Sequence, residues 1–321
     1  MSTRRPTLPR PLDPAKFRDP LRTARGEPRA QVALAGLGTL WINTGTLCNI
    51  TCASCYIESS PRNDALVYIS AAETAAYLDE ARALGMPLAE VGFTGGEPFM
   101  NPDLVPMLAD VLARPMLSAM VLTNAMQPMR RYAAALLGLR DRFGTDRLNL
   151  RVSLDHSEAT HHDLERGEGK FARSVAGLVW LAREGFRVHV AARLAFGGAG
   201  EAAMREGFAR LFAEHAIPID ADDPVALMLF PEMDEAADVP EITEACWGIL
   251  DKSPDSVMCA SSRMVVKRKG AARPAVVACT LLPYDPQFEL GATLADAARP
   301  VALNHPHCAR FCVLGGAACS R

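Results

Sequence analysis

The sequence predicts an α/β fold: a partial (β/α)6 TIM-like barrel followed by a small C-terminal cysteine-rich α+β domain. Three observations carry that prediction. From about residue 36 to 235, short β-branched runs alternate six times with longer amphipathic segments, the rhythm of a parallel sheet with helices outside it. Six such units suit a splayed, partial barrel better than a closed eight-fold one. After residue 235 the texture changes to prolines, cysteines and turns. The composition, 321 residues with 49% hydrophobic and 22% charged, is that of a globular chain able to bury a large core.

The elements follow in order. "GLGTLWIN" (36–43) reads as the first strand. "ISAAETAAYLDEARALG" (69–85) reads as a helix with Ser70 as its N-cap and a terminal glycine. A strand over 88–98 ends in glycines, a helix spans 102–114, and a strand spans 118–124. A helix over 131–144 and a strand over 147–155 come next, then a helix over 170–185 and a strand over 187–196. A helix over 203–216 precedes the last barrel strand at 224–230. In the tail, "RMVVKRKG" (263–270) and "PAVVACTLL" (274–282) read as two short strands of a hairpin. The expected organisation is an extended arm over 1–35, a barrel over 36–235 and a second domain over 236–321.

A net charge of −3 supplies no field for nucleic acid or an anionic membrane surface. The arm is locally basic, with eight Arg/Lys against three acids in residues 1–30, and is expected to lie strapped across the barrel. No apolar run reaches spanning length and the start lacks a signal-peptide core, so the expected location is the cytoplasm. In a reducing compartment the nine cysteines are not expected to pair as disulfides. None lies between Cys55 and Cys246, so they belong to local sites at the two ends.

"TLCNITCASCY" (46–56) places Cys48, Cys52 and Cys55 within eight residues, directly after the first strand. A zinc site wants four ligands, usually as two close pairs, and a redox pair wants Cys-x-x-Cys alone. A cuboidal four-iron cluster held by three thiolates leaves one iron open, as an open fourth position does on a catalytic zinc. The Cys-x-x-x-Cys-x-x-Cys loop in this position resembles the radical S-adenosylmethionine (SAM) superfamily. The resemblance implies that Cys48, Cys52 and Cys55 hold a [4Fe–4S] cluster whose open iron binds SAM. One-electron cleavage would then give a 5′-deoxyadenosyl radical that abstracts a substrate hydrogen. The family's aromatic residue before the third cysteine is Ser54 here, and Tyr56 follows, making Tyr56 the candidate aromatic contact to SAM.

In "FTGGEPFMNPDL" (93–104) glycines let backbone carbonyls approach a ligand, and an acid beside them can accept from an ammonium. The resemblance maps a grip on the SAM amino group onto Gly95, Gly96 and Glu97; the bland reading is a tight strand-to-helix turn. "TNA" and "SLD" close the third and fourth barrel strands where barrel active sites are built. The resemblance implies that polar groups at the end of strand four contact the ribose and carboxylate of SAM, making Ser153 and Asp155 candidates, and Asn124 is either a contact or a turn cap. "HHDLERGEGKF" (161–171) looks like the Arg-Gly-x-Gly stretch of peptide-modifying members, so Arg166 either reaches the SAM carboxylate or fixes the loop. Arg193, inside an apolar strand, is expected to face the lumen and meet a carboxylate. His156, His161 and His162 read as polar loop residues.

Six cysteines remain in the tail, enough for one fully ligated auxiliary cluster and not two. Cys259 and Cys279 flank the hairpin and could meet at its open end. "HPHCARFCVLGGAACS" (305–320) returns Cys308 and Cys312 to the same place. The order resembles the twitch or shortened SPASM domain of radical SAM enzymes, implying an auxiliary [4Fe–4S] cluster on Cys259, Cys279, Cys308 and Cys312. Cys319 competes for one position, and a zinc knot using His305 and His307 is the alternative. Cys246 reads as a buried apolar residue. The function expected is an oxidoreductase-type radical SAM enzyme acting on a peptide or a small molecule, supplied with electrons by a flavodoxin- or ferredoxin-like donor. The alternative of another class is a non-catalytic iron–sulfur or zinc-binding sensor.

Overall fold

The computed structural model describes residues 10–194 and 200–316. Six parallel strands form the barrel wall in sequential order: β2 (Thr39–Asn43), β3 (Glu90–Thr94), β4 (Ser118–Thr123), β5 (Leu148–Ser153), β6 (Arg187–Arg193) and β7 (Leu227–Phe230). The wall does not close. It continues on the β2 side, where β8 (Ser262–Val266) pairs in parallel with β2, Thr39 against Ser262. β9 (Ala275–Val277) and β10 (Glu289–Gly291) then add antiparallel, completing nine strands. The tail therefore extends the barrel's own sheet, a junction the hairpin reading did not anticipate, because pairing between residues 220 apart leaves no local signal.

Helices α1 (Ala71–Ala83), α2 (Leu104–Ala113), α4 (Ala133–Phe143), α6 (Lys170–Arg183) and α7 (Glu201–Glu214) alternate with these strands as predicted. Ser70 caps α1 through a full capping box: its hydroxyl accepts from the Glu73 N–H, and the Glu73 carboxylate accepts from the Ser70 N–H at 2.9 Å. Two helices were not predicted. α3 (Gln127–Arg131) precedes α4, and α5 (Ala159–Arg166) occupies what the sequence suggested was loop. His161 and His162 therefore lie on a helix, and His162 is fully buried. Gly167, at φ +98°, ends α5 with its N–H on the Asp163 carbonyl at 2.8 Å. Observed strands are shorter than expected at most ends; residues 195 and 196 of the fifth expected strand lie outside the described residues.

The arm straps the tail and not the barrel. β1 (Gln31–Val32) pairs with β11 (Val301–Ala302), and Pro11 and Arg29 bridge to Ala237 and Thr243. Arg29, buried, meets the Glu241 carboxylate at 2.5 Å, which also accepts from the Phe17 and Ala24 N–H groups. A short helix α8 (Cys246–Ile249) follows; Cys246 is only half-buried, its sulfur 3.4 Å from the Thr243 N–H, so it is not the core residue expected. The chain ends its described part in a π-helix, Cys308–Leu314.

Candidate functional site

The site is assembled where strands end. The last rung between β2 and β3 pairs Asn43 with Thr94, so the following segments leave the sheet side by side. The Thr44 N–H donates to the Thr94 carbonyl (2.8 Å), that of Gly96 to Gly45 (2.8 Å) and that of Glu97 to Leu47 (3.1 Å). A Cβ on Gly95 would stand 2.5 Å from the Gly45 oxygen, and one on Gly96 would overlap the Leu47 carbonyl. The two glycines thus let the cysteine loop dock against the end of β3, a reason for them that ligand approach alone did not suggest.

From that dock the loop carries Cys48, Cys52 and Cys55 into a cavity of about 450 Å3. Gly95, Gly96, Asn124, Ser153, Asp155, Arg166, Arg193 and Tyr56 line the same cavity, so the structure gathers there the three loop cysteines and all but one of the residues expected to contact SAM. The exception is Glu97. It is buried behind the wall, accepting from the Thr123 hydroxyl (2.7 Å) and the Asn124 N–H (2.8 Å). Burial raises its carboxyl to about 7, against those hydrogen bonds. Both ends of the Asn124 amide are engaged: Oδ1 accepts from the Met126 N–H (3.0 Å) and Nδ2 donates to Asn49 Oδ1 in the cysteine loop (2.8 Å).

Two ion pairs stand beside the cysteine loop in the cavity wall. Arg166 Nε and Nη2 bind Asp155 Oδ2 and Oδ1 at 2.6 and 3.0 Å. Burial opposes the charged carboxylate, but the guanidinium outweighs it and holds Asp155 below the usual range. Arg193 meets Glu165 at 3.0 Å, fulfilling the expectation of a carboxylate partner, and both bond the Ser54 hydroxyl. The Ala53 N–H donates to the Glu165 carbonyl at 2.7 Å. The last turn of α5 therefore holds the cysteine loop, β5 and β6 together. Glu165 was missed in the sequence; only its place beside Arg166 hinted at it.

The thiols suit a soft, multi-iron cofactor. Burial pushes Cys48 up to about 12 and raises Cys52, whose charge Arg166 partly offsets. Such thiols stay protonated until a metal takes the proton's place. A single zinc would draw its sulfurs to roughly 3.8 Å from one another, given Zn–S bonds of about 2.3 Å. Among the described residues, three-ligand groups with donors within 4.8 Å occur at His156, Glu158 and His161 and at Glu235, His305 and His307, and neither contains a cysteine. Wider sulfur spacing is what a cluster with one iron per thiolate requires.

The tail repeats the pattern. Cys259 precedes β8 and Cys279 follows β9, so the hairpin brings them to one end; the π-helix supplies Cys308 and Cys312. All four line one apolar cavity with Met258, Leu282 and Phe288. Burial raises Cys308, and the other three thiols add to it. Cys319 lies outside the described residues. His307 and Leu281 line both this cavity and the larger one, so the two thiol groups share a wall. The sequence had marked His307 only as a possible zinc ligand.

Comparison with known proteins places these features. The profile of the Radical SAM superfamily matches residues 42–209. The subtilosin biosynthesis protein AlbA of Bacillus subtilis (strain 168) is 32% identical over 145 residues, 45% of this chain and 30% of that protein. The mycofactocin maturase MftC of Mycobacterium ulcerans (strain Agy99) is 29% identical over 139 residues, 43% and 35% of the two chains. The matches thus span about a third of either relative's length. Among solved structures, Streptococcus suis SuiB bound to S-adenosylmethionine superposes with a TM-score of 0.56 at 13% identity, over 80% of this chain and 64% of that one. SuiB bound to its precursor peptide SuiA superposes at 0.54 and 12% identity, over 81% and 63%.

Proposed function

The chain belongs to the radical SAM superfamily, and on that premise we propose that it modifies a peptide by hydrogen abstraction, for oxidation or bond formation. The [4Fe–4S] cluster and SAM of the family supply, when bound, a 5′-deoxyadenosyl radical. Cys48, Cys52 and Cys55 are the proposed cluster ligands. The Gly95–Gly96 turn offers its backbone to the amino group of SAM, and Glu97 serves that contact from behind by fixing Asn124. Ser153, Asp155, Arg166 and Arg193 would bound the ribose and carboxylate, with Tyr56 on the base. Cys259, Cys279, Cys308 and Cys312 are the proposed ligands of an auxiliary cluster that accepts an electron from the substrate.

The observation that carries this reading is the single cavity shared by three loop thiols and the polar ends of β3 to β6. The residues themselves exclude water, orient the cofactor and hold charge in fixed pairs. A peptide is favoured over a small molecule because AlbA is named for biosynthesis of a bacteriocin and SuiB was solved with a precursor peptide. We place radical generation in residues 36–235 and the second cluster in 236–321, with 1–35 as the strap. A flavodoxin- or ferredoxin-like donor in the cytoplasm completes the scheme. Among the described residues no helix is long and apolar enough to cross a membrane. The test is anaerobic reconstitution and reduction with SAM: wild type releases 5′-deoxyadenosine and Cys48→Ala does not. Release by both, or by neither, overturns the reading.

A further inference from the structure

The cavity beyond the thiols has a distinct outer half. Phe230 ends β7 and Met233 follows it, Leu281 follows β9, and Phe311 comes from the π-helix; the rings of Phe230 and Phe311 meet at a 35° tilt, 5.3 Å between centroids. These side chains form an apolar shelf in the cavity wall. Charge on the cavity wall is unevenly committed. Arg166 is held by Asp155 and Arg193 by Glu165. Arg151 is buried deep in the lumen, with Glu90 as an acidic neighbour. Two wall carboxylates, Glu58 and Glu235, have no Lys or Arg ion-pair partner among the described residues.

Glu235 stands beside the shelf with its side chain 62% exposed, oriented by His307 Nε2 at 2.9 Å. His305 is farther off at 3.9 Å, and its Nδ1 already accepts the His307 N–H. Arg310, three residues after His307, donates instead to the Ala237 and Asp238 carbonyls. His307 is buried, and its Nδ1 lacks a hydrogen-bond partner. Among the described residues, the exposed charge on this part of the cavity wall is the Glu235 carboxylate, beside the apolar shelf.

We propose that the outer half of the cavity is a subsite for a peptide that presents an apolar side chain next to a lysine or arginine, the apolar group on the Phe230–Phe311 shelf and the cation on Glu235. This rests on the peptide reading above. An apolar shelf gives affinity without choosing a sequence, whereas an exposed carboxylate at its edge, held by His307 with no Lys or Arg ion-pair partner among the described residues, rejects acidic neighbours and favours basic ones.

The test uses the anaerobically reconstituted full chain with SAM and three fluorescein-labelled hexapeptides: Gly-Ser-Phe-Lys-Ser-Gly and its norleucine and glutamate counterparts at the lysine position. Fluorescence anisotropy is expected to show the lysine peptide binding about 5-fold tighter than the norleucine one, an ion pair worth about 1 kcal/mol. Glu235→Gln abolishes that ratio, and Glu235→Arg turns the preference toward the glutamate peptide. Equal binding of the lysine and norleucine peptides to the wild type overturns the subsite, and needs no variant to fold. A lysine preference that survives in Glu235→Gln of wild-type iron content overturns the role of Glu235. Peptide-free release of 5′-deoxyadenosine reports the underlying reading separately.

Discussion

Arg166 grips Asp155 with two parallel hydrogen bonds, 2.6 and 3.0 Å, joining the last turn of α5 to the end of β5. The carboxylate is 3% exposed, so neither charge can fall back on water. The pair forms part of the cavity wall beside the cysteine loop. Arg166→Ala strands a buried carboxylate and is expected to cost about 3–5 kcal/mol, read by urea denaturation of the cluster-free chain. Arg166→Lys keeps the charge but loses the fork and should fall between. Because Asp155 titrates lower in the folded chain than unfolded, its contribution is present above pH 4 and disappears as pH falls through its folded value. Asp155→Asn should flatten that acid limb; an unchanged limb would show that the pair does not govern it.

Glu97 gives the opposite pH dependence. Its folded value, about 7, lies above the ordinary 4.5, so folding favours the protonated acid. The cluster-free chain should be most stable at the acidic end of this window and lose stability as pH rises through 7. Glu97→Gln keeps a hydrogen-bonding side chain without the charge and should remove this slope. Glu97→Ala leaves the Thr123 hydroxyl and the Asn124 N–H unsatisfied, at about 1–3 kcal/mol each.

Gly96 decides whether the cysteine loop can dock at all. A methyl group there meets the Leu47 carbonyl, which is backbone and cannot rotate away. Gly96→Ala should therefore release the loop and its iron while sparing the tail's. Gly138→Ala, where a Cβ meets nothing within 4 Å, is the matched control and should leave iron content unchanged.

Iron counting separates the two thiol groups. The triple variant Cys48/Cys52/Cys55→Ala is expected to retain about four irons per chain, those of the tail cluster, and Cys308→Ala to lose irons without losing SAM cleavage. A triple variant devoid of iron would remove the second cluster from the scheme.

The strap is the last point of test. Glu241 accepts from Arg29 and from the Phe17 and Ala24 N–H groups, so Glu241→Ala leaves two N–H donors unmet and a buried guanidinium without its counter-charge, bonded only to the Asp19, Arg22 and Leu303 carbonyls. A loss of about 3–5 kcal/mol is expected. Limited proteolysis should then cut between residues 10 and 30 first, because that segment loses its main anchor to the tail.

How much of this was legible in the sequence depended on distance along the chain. The cysteine spacing, the Ser70 cap and the six-fold alternation are local patterns, each enforced by bonds or periodicities within a dozen residues. The hairpin flanked by Cys259 and Cys279 is local too. By contrast, Arg193 announced that it needed a carboxylate, but nothing in the sequence chose Glu165, 28 residues away. The helix over 159–166 escaped notice because its composition, "ATHHDLER", has no apolar stripe to mark it.

By itself the sequence determined the ingredients: a barrel of six units, three loop thiols held close by covalent connection, and four more set around a hairpin. The tertiary structure alone decided what those ingredients face. β8 adds to β2 because an open parallel sheet leaves an unpaired edge, and that pairing brings the tail against the barrel mouth. Leu281, His307 and Phe311 reach the cavity by that route, and with them the wall that the two thiol groups share. Contacts of that kind come from strand pairing across more than 200 residues, which no local pattern in the chain encodes.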